Sequence, residues 1–123
     1  MSNYGKELIL DIHDCSTELF NRKGLTHFFE QLCNLIDMER CDLHFWDYEG
    51  EPEEYAKAPI HLKGTSAIQF ITTSNVTIHT LDEMKRVYIN IFSCKEFDTS
   101  LTSDFVARVF EGTVMQSKVV DRV

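Results

Sequence analysis

The sequence has little that would interrupt a chain or cross-link it. Of 123 residues only two are proline and five glycine, so long stretches can form uninterrupted elements. Both prolines, Pro52 and Pro59, fall in one segment, residues 49–63. The four cysteines, at 15, 33, 41 and 94, show neither a CxxC pair nor a zinc-ligand spacing. That argues against a structural metal centre, and in a cytosolic protein they read as free thiols. Apolar runs are far too short to span a bilayer, and the opening Met-Ser-Asn-Tyr-Gly-Lys has no apolar signal core. Both shortfalls predict a cytoplasmic protein with no membrane partner. Positive charge is scarce too: 12 Lys and Arg against 20 Asp and Glu give a formal charge of −8. That balance disfavours nucleic acid, whose phosphates need a basic surface, and suits a small cationic substrate.

What is present is a globular composition, 43% hydrophobic and 26% charged, of a length expected to form a single domain over residues 1–123. Residues 4–14 read as a strand, with Leu8, Leu10 and Ile12 alternating against Glu7, Ile9 and Asp11. Asp14 to Gly24 is polar and turn-like. Leu25 to Met38 follows helical spacing, with Leu25, Phe28, Phe29, Leu32, Leu35 and Ile36 on one stripe. Cys41 to Tyr48 reads as a strand, and Glu49 to Lys63 as an acidic, solvated loop at the rim of whatever site the protein carries. Leu101, Phe105, Val109 and Phe110 predict a second amphipathic helix, capped within Asp98 to Ser103 and ended at Gly112. Thr113 to Val120 is a last strand.

Between them lies Gly64 to Cys94, around which the chain is organised. Val87, Ile89 and Ile91 alternate with Tyr88, Asn90 and Phe92, and Val76 and Ile78 with Asn75, Thr77 and His79, so both runs are strands with one apolar face. The order β-α-β-β-β-α-β predicts an α+β two-layer sandwich, a largely antiparallel sheet with two helices on one face. Four reactive side chains punctuate the stretch: Ser66, Ser74, His79 and Cys94. Singly, each is most often structural, since Ser serves turns and a buried Cys behaves as a small hydrophobe. Jointly, a histidine on a strand's polar face with a nearby serine and a cysteine at a strand end is an arrangement that acyl chemistry uses.

The joint spacing resembles that of the small prokaryotic S-adenosylmethionine decarboxylases. Its carriers are Ser74-Asn-Val-Thr-Ile-His79-Thr80, then Tyr88-Ile-Asn-Ile-Phe-Ser-Cys94, preceded by Gly64-Thr65-Ser66 and, near the N-terminus, by Gly5-Lys6-Glu7-Leu8-Ile9-Leu10-Asp11-Ile12-His13-Asp14-Cys15. Some positions depart from the family pattern. Thr73 and Asn75 stand where Glu and His are usual, and Leu81-Asp82 where Trp-Pro is usual, while Glu83 is kept.

The resemblance implies a precursor that cuts itself between Thr73 and Ser74 and so makes a pyruvoyl cofactor from Ser74. It implies His79 as the base for the Ser74 α-proton, with Ser66 positioning the Thr73 carbonyl. The pyruvoyl group then holds substrate as a Schiff base and acts as electron sink, and Cys94 returns a proton as general acid. Glu83, Trp46 and Tyr55 are the implied substrate-binding residues, with an aromatic stacked on the adenine. No metal is implied, and the assembly is a homodimer of cleaved chains in polyamine synthesis. Two alternatives stay open on the sequence: the same machinery acting on arginine or ornithine, or a non-processing homologue that serves as a binding subunit.

Overall fold

The computed structural model describes residues 3–123. Its elements are β1 (Gly5–His13), α1 (Arg22–Leu35), β2 (Arg40–Trp46), α2 (Pro52–Lys57), a 3-10 turn (Ile60–Leu62), β3 (Gly64–Ile71), β4 (Ser74–Leu81), β5 (Arg86–Ser93), α3 (Thr99–Val109) and β6 (Thr113–Arg122). The strands form one sheet in the order β2-β3-β4-β5-β1-β6, and every neighbouring pair is antiparallel. The first strand therefore lies between β5 and β6, joining the two ends of the chain to its middle.

Alternation decides the faces. Leu8, Leu10 and Ile12 of β1, Val76 and Ile78 of β4 and Val87, Ile89 and Ile91 of β5 are buried, and with Phe28, Phe29, Leu32, Val106 and Phe110 they form one core. Phe28 is its hub, with ring centroids 5.5 Å from Phe29, 6.2 Å from Phe105 and 4.9 Å from Phe110. Burying such rings supplies much of the driving force for closing the helices onto the sheet. The other face is left uncovered by α1 and α3, and only the 3-10 turn reaches it, beside Ser66 and His79. Across it run cross-strand rows set by the register, among them Trp46, Ser66, His79, Tyr88 and Asp11. No described helix is long and apolar enough to cross a membrane. The fold is the expected α+β sandwich.

Details differ from the sequence reading, each for a local reason. The first helix starts at Arg22 because Asn21 caps it, its side chain accepting from the Gly24 amide at 2.7 Å; such a cap satisfies an otherwise orphaned donor. Leu35 leaves the stripe and is half-exposed. Residues 49–63 are not one loop but hold α2 and the 3-10 turn, which bury no residue. In α3, Asp98 is the cap (Leu101 amide, 2.9 Å). Leu101 faces solvent and Thr102, Ser103 and Val106 are buried instead. The left-handed residue that ends α3 is Glu111, at φ 51°. Gly112 follows it because a Cβ there would meet Ile12 and the Cys15 sulfur at 2.6 and 2.7 Å. β6 runs on to Arg122.

Candidate active site

The hairpin β3–β4 turns on two residues, Thr72 and Thr73, with Ile71 paired to Ser74. Thr73 sits at φ 55°, a region that β-branched residues avoid. Ser74 is thus the first residue of β4, not a turn residue, and its side chain is directed to the helix-covered side with only 6% of it exposed. β5 ends alongside it, and the next residue is Cys94. The Thr73 Oγ1 lies 3.1 Å from the Cys94 Sγ and donates to the Thr72 carbonyl at 2.7 Å. The Ser74 Oγ lies 4.0 Å from the same sulfur and 3.5 Å from the Ser93 Oγ, and the Cys94 amide donates to it at 3.4 Å.

These hydroxyls set the thiol's acidity. The hydrogen bond with Thr73, aided by those with Ser74, Tyr4 and the residue's own amide, pulls Cys94 below the ordinary thiol range against the opposing effect of desolvation. Donors to the charged form favour it. By contrast, burial pushes Cys15 and Cys33 up to about 11, which makes them inert packing residues. A cavity of about 390 Å³ opens at Ser74, Ser93 and Cys94, below Met38 and Glu39.

Ser66 and His79 meet elsewhere. They are directly paired across β3 and β4, on the helix-free face, with the Ser66 Oγ 2.8 Å from the His79 Nδ1. Trp46, paired with Ser66 from β2 and 63% exposed, closes a cavity of about 330 Å³ that the two share with Tyr48, His61 and Leu62. Within one chain, then, the residues that sequence reading grouped fall into two sets. His79 is five residues beyond Ser74 on the same strand, roughly 16 Å along it at about 3.3 Å per residue, and on the opposite face.

The remaining expected residues gather at the far end of the hairpin. Tyr55 of α2 donates to the Asp82 Oδ2 at 2.7 Å, and that bond pushes the phenol up to about 12. The Asp82 Oδ1 is buried and has no partner. Glu83 is exposed in the β4–β5 turn and pairs with Lys63 at 3.6 Å. Beside them Arg22 grips Asp47 through Nε and Nη2 (2.6 and 2.9 Å), lining with Tyr48, Tyr55 and Asp82 a cavity of about 400 Å³. Among the described residues no cluster of three His, Cys, Asp or Glu side chains is placed to hold a metal.

Sequence reasoning missed the Thr73 hydroxyl, Tyr4 and Asp82. Thr73 and Asp82 carried a signal, each replacing a residue usual in the resembled family. Tyr4 carried none, because only the pairing of β1 with β5 brings it to Cys94.

Three comparisons bear on this arrangement. The family described as S-adenosylmethionine decarboxylase matches residues 6–123. An S-adenosylmethionine decarboxylase proenzyme from Hydrogenobaculum sp. (strain Y04AAS1) is 20% identical over 120 residues, covering 96% of this chain and 81% of that protein. The crystal structure of the adenosylmethionine decarboxylase from Aquifex aeolicus VF5 superposes with a TM-score of 0.77 at 11% identity, over 99% of this chain and 92% of that one, which speaks to the fold. None of these names points to a basic amino acid or to a non-processing subunit. With the match running from β1 to the last residue, the chain belongs to the S-adenosylmethionine decarboxylase family, a family of carboxy-lyase enzymes.

Proposed function

We propose that this chain is a proenzyme that cuts itself between Thr73 and Ser74 and then decarboxylates S-adenosylmethionine as a cytoplasmic enzyme of polyamine synthesis. The observation that carries this reading is the meeting of Thr73, Ser74 and Cys94 at one corner of the sheet, with 3.1 and 4.0 Å between the hydroxyls and the thiol. The residues present suit a pyruvoyl group made from Ser74. The serine is held in a nearly closed corner, its oxygen accepts from the Cys94 amide, and the residue before it is strained at the bond to be cut. Such a group, once formed, supplies the electron sink for loss of carbon dioxide.

The chain's own residues supply the rest. Ser74 provides the attacking oxygen, and fixing it beside the Thr73 carbonyl is worth much of the barrier to an intramolecular acyl shift. Cys94 returns a proton to the substrate carbon. His79, the base for the Ser74 α-proton, does not reach its own Ser74, so a second copy is needed to supply the Ser66–His79 pair. The helix-free face, which presents Trp46, Ile68 and Phe70 each more than a third exposed, is the surface we assign to that homodimer contact. In that assembly Trp46, Tyr55 and Glu83 hold substrate, and the −8 charge attracts its sulfonium and ammonium groups.

Denaturing mass spectrometry tests the reading. Wild-type protein is expected as two pieces divided after Thr73, the second with a pyruvoyl N-terminus, and Ser74→Ala as one intact chain. A wild-type chain still whole after prolonged incubation overturns it. Release of labelled carbon dioxide from carboxyl-labelled S-adenosylmethionine, set against arginine and ornithine, then fixes the substrate.

A further inference from the structure

Cys94 touches the two residues whose bond is to be cut, and both contacts are hydroxyl groups. Scission changes both. The Ser74 Oγ attacks the Thr73 carbonyl carbon; the C–O bond forms, the peptide C–N bond breaks and the nitrogen takes the proton. Elimination then breaks the bond from Oγ to the Ser74 Cβ, with the α-proton passing to the base. The serine oxygen leaves as part of a new carboxylate at Thr73. Water hydrolyses the dehydroalanine that remains, ammonia departs, and position 74 is left with a keto oxygen, which accepts and cannot donate. One of the thiol's hydroxyl neighbours is thereby destroyed, and a negative charge appears on the residue that carries the other.

We propose that the cut arms the general acid: scission removes the Ser74 hydroxyl from beside the Cys94 sulfur and leaves a carboxylate on Thr73, so that the thiol of the cut chain keeps its proton to higher pH than that of the uncut chain. This rests on the decarboxylase reading above. The other charges around the sulfur do not change in the reaction. Lys95 is held by the Asp37 carboxylate at 3.0 Å and Lys6 by Glu96, while Asp121 of β6, Glu39 of the loop after α1, and Tyr4 line the two cavities that meet at Cys94. Thr73 is the first cause of the thiol's low position in the uncut chain and Ser74 the next hydroxyl; the cut consumes the Ser74 hydroxyl and sets a negative charge on Thr73, opposing the hydroxyl that Thr73 keeps. A more firmly protonated donor thus arises in the same reaction that creates the electrophile.

The test follows Cys94 alkylation by iodoacetamide against pH, read at that residue by peptide mass spectrometry. Cys41, the other exposed thiol, is removed as Cys41→Ala. The midpoint is expected at least about one unit higher in the matured, cut protein than in the uncut Ser74→Ala chain, the size typical of a neighbouring like charge. Within the Ser74→Ala chain, Thr73→Val is expected to raise the midpoint and Thr73→Ser to leave it in place, with circular dichroism confirming the fold of each. Coincident midpoints in cut and uncut protein overturn the switch, as does a Thr73→Val chain that titrates like its parent. Should wild type never cut, the decarboxylase reading falls and the switch falls with it. Should it cut with midpoints unmoved, only the switch falls.

Discussion

The two ends of the β3–β4 hairpin are built on different terms. At the turn, Thr73, Ser74 and Cys94 are small side chains packed at 3.1 to 4.0 Å, under Met38 and beside the core. At the open end, Tyr55, Asp82, Glu83, Lys63 and the Arg22–Asp47 pair are long or charged groups reaching across solvent-facing cavities. The turn end is made of neighbours in sequence and one strand partner, so its geometry follows from chain spacing and register. The open end depends on side chains from five separate segments. A bond-breaking step needs the first kind of construction, because reacting atoms must be held close to their reactive geometry. Recognition of a flexible, charged ligand works with the second.

The sharpest way to break this comparison is to exchange mutations between the ends. Cys94→Ala is expected to leave scission intact and lower turnover by about 10²- to 10⁴-fold, the range for a lost proton donor. His79→Ala is expected to slow scission itself by about 10²-fold on the same grounds. Co-expressing the two variants should recover activity, since one of the two sites in a mixed dimer keeps both groups. Absence of recovery, with mixed dimers demonstrated by mass, would place both groups in one chain and remove the distinction drawn between them. Time courses of fragment appearance and of carbon dioxide release check each arm.

A smaller effect, on stability, probes how rigidly the open end is tied to the sheet. A Cβ at Gly64 would lie 1.7 Å from the Thr80 carbonyl oxygen, so Gly64→Ala must push β3 from β4. It is expected to cost about 3 kcal/mol in urea unfolding, the upper part of the usual range for a point change. A cost near zero would show that this end of the hairpin yields, and with it the placement of Ser66 and His79.

The smallest effect concerns the rim. Arg22 holds the Asp47 carboxyl below the ordinary carboxylate range, so the pair stabilises the fold above that range and ceases to as pH falls through the depressed value. Asp47→Asn should therefore cost about 1 kcal/mol at neutral pH, as for a good partly exposed ion pair, and the gap to wild type should close below pH about 4. A gap that persists in acid would mean that packing, not charge, fixes the rim.

How much of this was legible in the sequence follows the same division. The strands announced themselves because Val87, Ile89 and Ile91 or Leu8, Leu10 and Ile12 must share a buried face, and the turn-end chemistry because 73, 74 and 94 meet through register alone. The short helix α2 did not, since its six residues bury nothing and so carry no periodic signal. Leu101 was assigned to the core on hydrophobicity, yet Thr102 occupies that place, its hydroxyl donating back to the Asp98 carbonyl at 2.7 Å. Gln69 was invisible for a related reason. It is fully buried because β2 departs from regular pairing between Arg40 and Leu43, and its amide donates to the Cys41, Asp42 and Phe70 carbonyls while its oxygen accepts from Arg40. A polar residue inside is explained only by the irregular backbone it satisfies. The separation of Ser66 and His79 from Ser74 was equally out of reach, for spacing along a chain does not say which chain supplies the partner.

Among the described non-glycine residues with positive φ, namely Asp14, Asp37, Thr73, Lys85 and Glu111, only Thr73 is β-branched. Holding it there costs about 1–3 kcal/mol, tolerated while a hairpin closes around it. Once the following bond is gone, the closed turn no longer holds the residue's backbone at that φ. Rejoining the pieces would require bending it again without the closed loop to enforce the bend. The tight corner therefore works as a ratchet: opening it runs downhill in conformation as well as in bond energy, and the passage from one chain to two goes a single way.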